Sequence, residues 1–394
     1  MKLLVPAVLS SVLMLSTTRP VPPHADDLVR LVRVPDGGVQ PEVAVDRQGI
    51  VHLVYLAGEP ATADVFYSRS VDGGSTFSRG IRVNSQRGSA IATGTIRGAQ
   101  IALGSGGRVH ISWNGSNQAA PKPPVNGNTG RTGMPMLYSR SDPGGTRFEP
   151  QRNLMTRTAN LDGGGSIAAQ GRHVFVAWHA HPADGEGGEE ARRVWLSRST
   201  DEGGSFSQEA PVSDPRTGVC GCCALRMFAP PAGGLELLYR SATDLVHRDI
   251  YSLAAPSSSE TFVSRRLHEW EIGACPMSSM SIAAEEELVL RTWETNGEVF
   301  VESVAPGWPR QSPTGRPAAD ASRRKHPRVA VNRRGEALLV WTEGTSWARG
   351  GSVAWQAFDR DGKPTTARGV ESGLPVWSFA SAVARPDGGF TILY

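Results

Sequence analysis

A sevenfold repeat constrains this chain more than any other feature. Seven segments each read as a short alternating strand, a Gly- or Asp-rich turn, and a second strand ending in Trp or Tyr. They run PEVAVDRQGIVHLVY, AQIALGSGGRVHISW, GSIAAQGRHVFVAW, CALRMFAPPAGGLELLY, SMSIAAEEELVLRTW, HPRVAVNRRGEALLVW and SFASAVARPDGGFTILY. Their final aromatics, Tyr55, Trp113, Trp178, Tyr239, Trp293, Trp341 and Tyr394, lie 48 to 65 residues apart. A lone hairpin of this kind cannot bury both of its faces, so units with this period stack around an axis and cover one another. The pattern predicts an all-β propeller of four-stranded blades, seven by the hairpin count, with six as the alternative. The last hairpin lacks outer strands. Residues 28–34 can supply one of these and close the ring, leaving no long unpaired edge.

Composition fits this architecture. The chain has 45 glycines and 28 prolines in 394 residues, as expected for many tight turns between short elements and not for a helix bundle. Lys and Arg total 41 against 38 Asp and Glu, and the longest basic run is Arg323-Arg324-Lys325. A nucleic-acid partner is therefore not expected. Lys2 and the apolar run from Leu3 to Leu15, followed by a polar, Pro-rich stretch to Asp27, read as an export signal too short to span a bilayer. Cleavage near Ala25 leaves residues 26–394 as a single propeller domain, periplasmic or secreted, with no transmembrane segment.

Three turns share a further pattern. Ser70-Val-Asp72-Gly-Gly-Ser-Thr-Phe77 and Ser199-Thr-Asp201-Glu-Gly-Gly-Ser-Phe206 fit S-x-D-x-G-x-[ST]-F, and Ser141-Asp142-Pro-Gly-Gly-Thr-Arg-Phe148 is a degenerate copy. Their chemistry is structural: Asp and Ser bond nearby backbone, Gly takes positive φ, and Phe packs back between strands. These turns resemble the Asp-box (BNR) repeats of the sialidase (neuraminidase) superfamily. The resemblance implies a propeller and a glycan or other small ligand at its mouth. Sialidases of this type use three arginines for the substrate carboxylate, a Tyr–Glu nucleophile pair and an Asp acid/base. The first arginine lies in an R-I-P motif, where this chain has Val39-Gln40-Pro41. Its absence argues against sialic acid chemistry, because a bidentate guanidinium is difficult to replace.

Blade topology assigns the loops to faces. If the first strand of each blade starts at the top near the axis, the Asp boxes lie below. The loops that precede first strands and follow second strands then share the upper mouth. Asp162, Arg240, Asp249 and Glu343 are the candidate catalytic groups in or beside these loops, and Arg97, Arg328, Trp347 and Trp377 are candidates for binding substrate. All four cysteines, Cys220, Cys222, Cys223 and Cys275, fall in two consecutive loops. With His179, His181, His247 or His326 they could hold copper or zinc, and the alternative is two disulfides stapling neighbouring blades. Together with Trp270-Glu-Ile-Gly-Ala-Cys275-Pro, the Cys-Gly-Cys-Cys loop resembles a subgroup of exported bacterial proteins labelled sialidase-like. The expected function is a glycan-directed propeller, either a divergent exo-glycosidase or a carbohydrate-binding protein. The alternatives are a metal-binding or redox protein and a protein-interaction scaffold with structural disulfides.

Overall fold

The structure is a computed structural model describing residues 28–230, 233–256, 261–304, 307–312 and 323–394. The expected export segment, residues 1–25, lies outside the described residues. The described residues form seven sheets. The first blade orders Val39–Val45, Val51–Ala57, Asp64–Ser70 and Ile81–Arg82 outward, and the second orders Gln100–Leu103, Val109–Asn114, Met136–Arg140 and Arg152–Asn153. The third consists of Ser166–Gln170, His173–Pro182, Arg193–Ser199 and Ala210–Pro211, with Thr158–Ala159 added against the end of its long second strand. The fourth contains Arg226–Phe228, Leu235–Arg240, Ile250–Ala255 and Val263–His268, and the sixth Arg324–Val331, Ala337–Glu343, Gly351–Phe358 and Pro364–Leu374. Among the described residues the fifth blade has three strands, Met280–Glu285, Leu288–Thr295 and Glu298–Ser303.

The seventh blade closes the ring as the sequence predicts. Val29–Val32 pairs with Phe390–Leu393, placing Leu31 opposite Ile392, and Phe390–Leu393 pairs with Ser381–Ala384. This closing strand is parallel to its neighbour. It must run upward to deliver the chain to the top, where the first strand of blade one begins, and Phe390–Leu393 runs the same way. The seven innermost strands pack side by side, the last against the first.

The core is divided rather than single. Seven apolar clusters lie one between each pair of neighbouring blades, such as Val54, Tyr67, Ile111 and Trp113 between the first two. The repeated aromatics fill these interfaces. Tyr55, Trp178, Tyr239 and Trp293 are wholly buried, each such side chain contributing about 2–3 kcal/mol by its burial.

The Asp boxes lie below, between third and fourth strands, and clasp adjacent blades. In the first, Asp72 Oδ1 accepts the backbone N–H groups of Ser75 (3.0 Å) and Thr76 (2.9 Å), while Ser70 Oγ donates to the same oxygen (2.7 Å). The outer side of each box meets the preceding blade. Thr391 donates to the Gly73 carbonyl, Arg69 to that of Gly144, and Arg140 to that of Glu202. Behind two boxes stands a His–Tyr pair, Tyr67 Oη to His52 Nδ1 and Tyr138 Oη to His110 Nδ1, both at 2.7 Å. Gly203 has φ 72°, and a Cβ there would run into the Tyr138 hydroxyl, so its turn requires glycine.

Candidate functional site

The upper loops bring all four cysteines together. Cys220–Cys223 lies between the third and fourth blades, and Cys275 between the fourth and fifth. Cys222 forms a disulfide with Cys275 across 53 residues of chain. Cys220 and Cys223 are free thiols. Their sulfurs lie 2.9 Å apart, and Cys220 Sγ is 3.5 Å from Cys222 Sγ. Cys220 and Cys223 are buried, Cys222 is half-buried and Cys275 is exposed. The sequence left two disulfides and a metal site as alternatives, and the fold contains one disulfide beside one dithiol.

Charged side chains fix this turn from three sides. Glu189 accepts the Gly221 N–H at 2.5 Å and pairs with Arg248 Nη2 at 2.6 Å. Arg192 donates to the Asn160 carbonyl at 2.7 Å, and its guanidinium flanks Gly221. The fully buried Arg240 donates from Nε (3.2 Å) and Nη2 (2.9 Å) to Ser278 Oγ, reaches the Arg248 and Glu294 carbonyls, and lies 4.9 Å over Trp270. Glu294 Oε2, 3.9 Å from Arg240, has no hydrogen-bond partner among the described residues. Burial raises the Cys220 thiol well above its usual range. At Cys223 burial acts in the same direction, but the Cys220 thiol, the Arg240 charge and the Ser278 backbone outweigh it, so Cys223 is lowered.

The histidines support the loops and do not join the sulfurs. His179 Nε2 donates to the Cys223 carbonyl at 2.9 Å, and burial with the Arg192 charge pushes its pKa down to about 4. His181 donates to the Gly188 carbonyl, His326 lies tilted against Phe379 beside Ser279, and the backbone of His247 bridges to Thr243 and Glu271. Among the described residues, the His, Cys, Asp and Glu ligand atoms gathered within 4.8 Å of one another are the sulfurs of Cys220, Cys222 and Cys223.

Each candidate carboxylate is engaged. Asp162 pairs with Arg97 at 2.5 Å, and the Arg97 Nε also donates to the Asp162 carbonyl. Asp249 accepts the Trp270 N–H and lies 3.6 Å from Arg266. Glu343 accepts from Trp341 Nε1 and lies 3.4 Å from Arg324. Arg328 is buried against Glu42 and Phe379. The glycines after Asp162 allow close packing: a Cβ on Gly163 would strike the Cys223 carbonyl and His179. Gln40, standing where sialidases keep arginine, is buried and points its amide nitrogen at the carbonyls of Ala92, Gly94 and Trp377. It ties loops of the first, second and seventh blades together.

Two tryptophans mark the centre of the mouth. Trp347 is 58% exposed and meets Trp377 edge-on at 6.1 Å. A side chain added at Gly94 would touch Arg97, Trp347 and Met277, so loops from non-adjacent blades converge there. A cavity of about 710 Å³ lies along the axis. Its lining runs from Glu42, Arg226 and Arg328 down to the lower turns. Arg226 and Arg328 bind Glu42 at 2.8 and 3.4 Å, forming a charged plug at its upper end.

Glu189 and Arg192 were not identified from sequence. The run Glu-Glu-Ala-Arg-Arg, 189–193, reads as a solvated polar loop. Its position after a second strand on the upper face is the signal that could have located both.

No protein-family model matches the sequence, and no curated protein is similar enough to align with it. Solved structures do match. A Dyadobacter fermentans protein of unknown function is 12% identical, the match covering 88% of this chain and 97% of that one with a TM-score of 0.52. The alpha-L-arabinanase of Penicillium chrysogenum, solved with arabinobiose, is 13% identical over 86% of this chain and 96% of its own, with a TM-score of 0.53. A Hadza microbial sialidase is 13% identical over 89% and 67%, with a TM-score of 0.48. At such identities the likeness to the first two establishes the fold alone.

Proposed function

We propose that the chain is an exported carbohydrate-directed propeller that holds a glycan at its upper mouth by binding rather than hydrolysis. The observation that carries this reading is the exposed Trp347, set edge-on to Trp377 beside the Arg97–Asp162 pair. An aromatic face flanked by a few fixed polar groups suits a sugar ring, which has both apolar C–H and polar O–H surface. The fold likeness to an arabinanase agrees with it as an analogy. Binding is favoured over cleavage because glycoside hydrolysis requires two available carboxyl groups, whereas Asp162, Asp249 and Glu343 are each ion-paired.

Titration of the full chain with arabinan and sialylated oligosaccharides, followed by tryptophan fluorescence, tests the reading. Saturable quenching that is lost in Trp347→Ala is expected. No binding across a broad glycan array, or binding unchanged in the variant, would remove the mouth from consideration.

A second reading is a soft metal site, favoured by the proximity of the Cys220, Cys222 and Cys223 sulfurs. Copper(I) or zinc binds thiolates, so this reading requires the Cys222–Cys275 bond to be open. Elemental analysis of protein reduced and purified without chelator tests it.

A further inference from the structure

The cysteine quartet holds chemistry that carbohydrate binding does not use. A dithiol closed to solvent, Cys220 and Cys223, touches a disulfide whose far end, Cys275, is exposed. The contact is Cys220 Sγ to Cys222 Sγ at 3.5 Å, and the two inner sulfurs lie 2.9 Å apart. Thiol–disulfide exchange proceeds by a sulfur attacking one atom of a neighbouring disulfide. Every attacking and leaving atom for an internal exchange is therefore adjacent.

We propose that the quartet is a disulfide relay: the buried dithiol reduces the outer disulfide, and the outer pair then reduces a disulfide-bearing partner at Cys275. In the first step Cys223 Sγ, 2.9 Å away, takes the proton as Cys220 Sγ bonds to Cys222 Sγ and the Cys222–Cys275 bond breaks, and Cys275 takes up the proton that Cys223 had released. In the second, Cys223 Sγ bonds to Cys220 Sγ, Cys222 leaves, and the Cys223 proton ends on Cys222. The inner pair has lost two electrons and the outer pair has gained them with two protons. The Cys275 thiolate then attacks the partner disulfide and releases its first sulfur. Cys222 attacks Cys275 in the mixed disulfide, releases the second sulfur and restores Cys222–Cys275. The partner gains two electrons and two protons, and the chain ends with both pairs oxidised. A dithiol reductant resets it.

The fold assigns different tasks to the two pairs. A partner can reach Cys275, whereas the inner pair is accessible through Cys222 alone among the contacts described. While the outer bond is open, the loop at 220–223 loses its covalent tie to the loop at 273–276. This proposal does not depend on the carbohydrate reading.

The test uses the full chain reduced with dithiothreitol to two thiols per molecule, quenched in acid, alkylated in denaturant and mapped by peptide mass. The relay predicts alkylation on both pairs, Cys220/Cys223 and Cys222/Cys275, in a ratio independent of reduction time. Cys220→Ser, isolated without reductant, should keep the outer disulfide closed, with Cys223 as the one labelled thiol. With a small aromatic disulfide as substrate, the two-thiol wild type should release the coloured thiolate at least about tenfold faster than Cys220→Ser. The variant keeps the outer disulfide, so matching thermal transitions establish that both proteins are folded. Labelling confined to one pair in the wild type, or equal rates in the two proteins, overturns the relay. Stoichiometric zinc or copper retained on four reduced cysteines also overturns it, in favour of a metal site.

Discussion

The lower turns and the upper loops of this propeller are both rich in polar residues and use them in opposite ways. Below, each Asp box satisfies its carboxylate within the turn. The backbone N–H of Ser205, then the hydroxyls of Ser199 and Ser205, hold the Asp201 carboxyl well below the usual range at a solvent-facing position. Above, charges are buried and satisfied by distant parts of the chain. Arg240 is bonded to residues 38 and 54 positions away, and Glu294 Oε2 and the Nε and Nη1 of Arg248 have no partner among the described residues. A locally satisfied turn can recur in blade after blade. A loop whose partners come from other blades is specific to one place, and that is where a site can be built.

Four measurements would break or sharpen this contrast. The largest effect is expected above: Arg240→Ala removes a wholly buried guanidinium and strands Glu294, and should cost about 3–5 kcal/mol in denaturant unfolding. A loss below about 1 kcal/mol would mean that the upper charges are as replaceable as the lower ones.

Next is a pH effect behind the lower boxes. Burial, with the Arg108 and Arg140 charges, pushes His110 down to about 3 from 6.5, so the folded state keeps it neutral. Below pH 6.5 the unfolded chain takes up a proton that the native state refuses. Stability is full above pH 6.5 and falls on acidification by about 1.4 kcal/mol per pH unit, or about 2 kcal/mol by pH 5. Unfolding of wild type and His110→Gln at pH 7 and pH 5 should differ by this one-proton slope; parallel slopes would contradict the assignment.

A smaller loss is expected for Asp72→Ala. Its hydrogen bonds are exposed to water, and the change should cost about 1 kcal/mol with the propeller intact. The smallest is Trp347→Ala, which should leave stability within about 0.5 kcal/mol while abolishing glycan binding. A large stability loss there would make Trp347 a packing residue and weaken the binding proposal.

Much of the fold was legible because it repeats. The alternating strands, the final aromatics from Tyr55 to Tyr394 and the closing strand near Val29 each obey a local period, and the structure places them as expected. The His52–Tyr67 and His110–Tyr138 pairs also carry a sequence signal, since Val-His opens the second strand of both blades. At the site, sequence brought the four cysteines to one face. It did not identify which of them bond, or that Asp162 and Arg97 neutralise each other. Those outcomes depend on distances between loops that are 53 and 65 residues apart in sequence.

The sequence by itself determined the all-β propeller and the separation of Asp boxes from unusual loops, because strand period and turn chemistry act over a few residues, while the structure decided for seven blades over six. Only the tertiary structure decided that Cys222 joins Cys275 while Cys220 and Cys223 remain a buried dithiol, and that Glu189, Arg192, Arg240 and Arg248 enclose them. These contacts form where three blades meet, and their geometry is set by how the sheets pack around the axis.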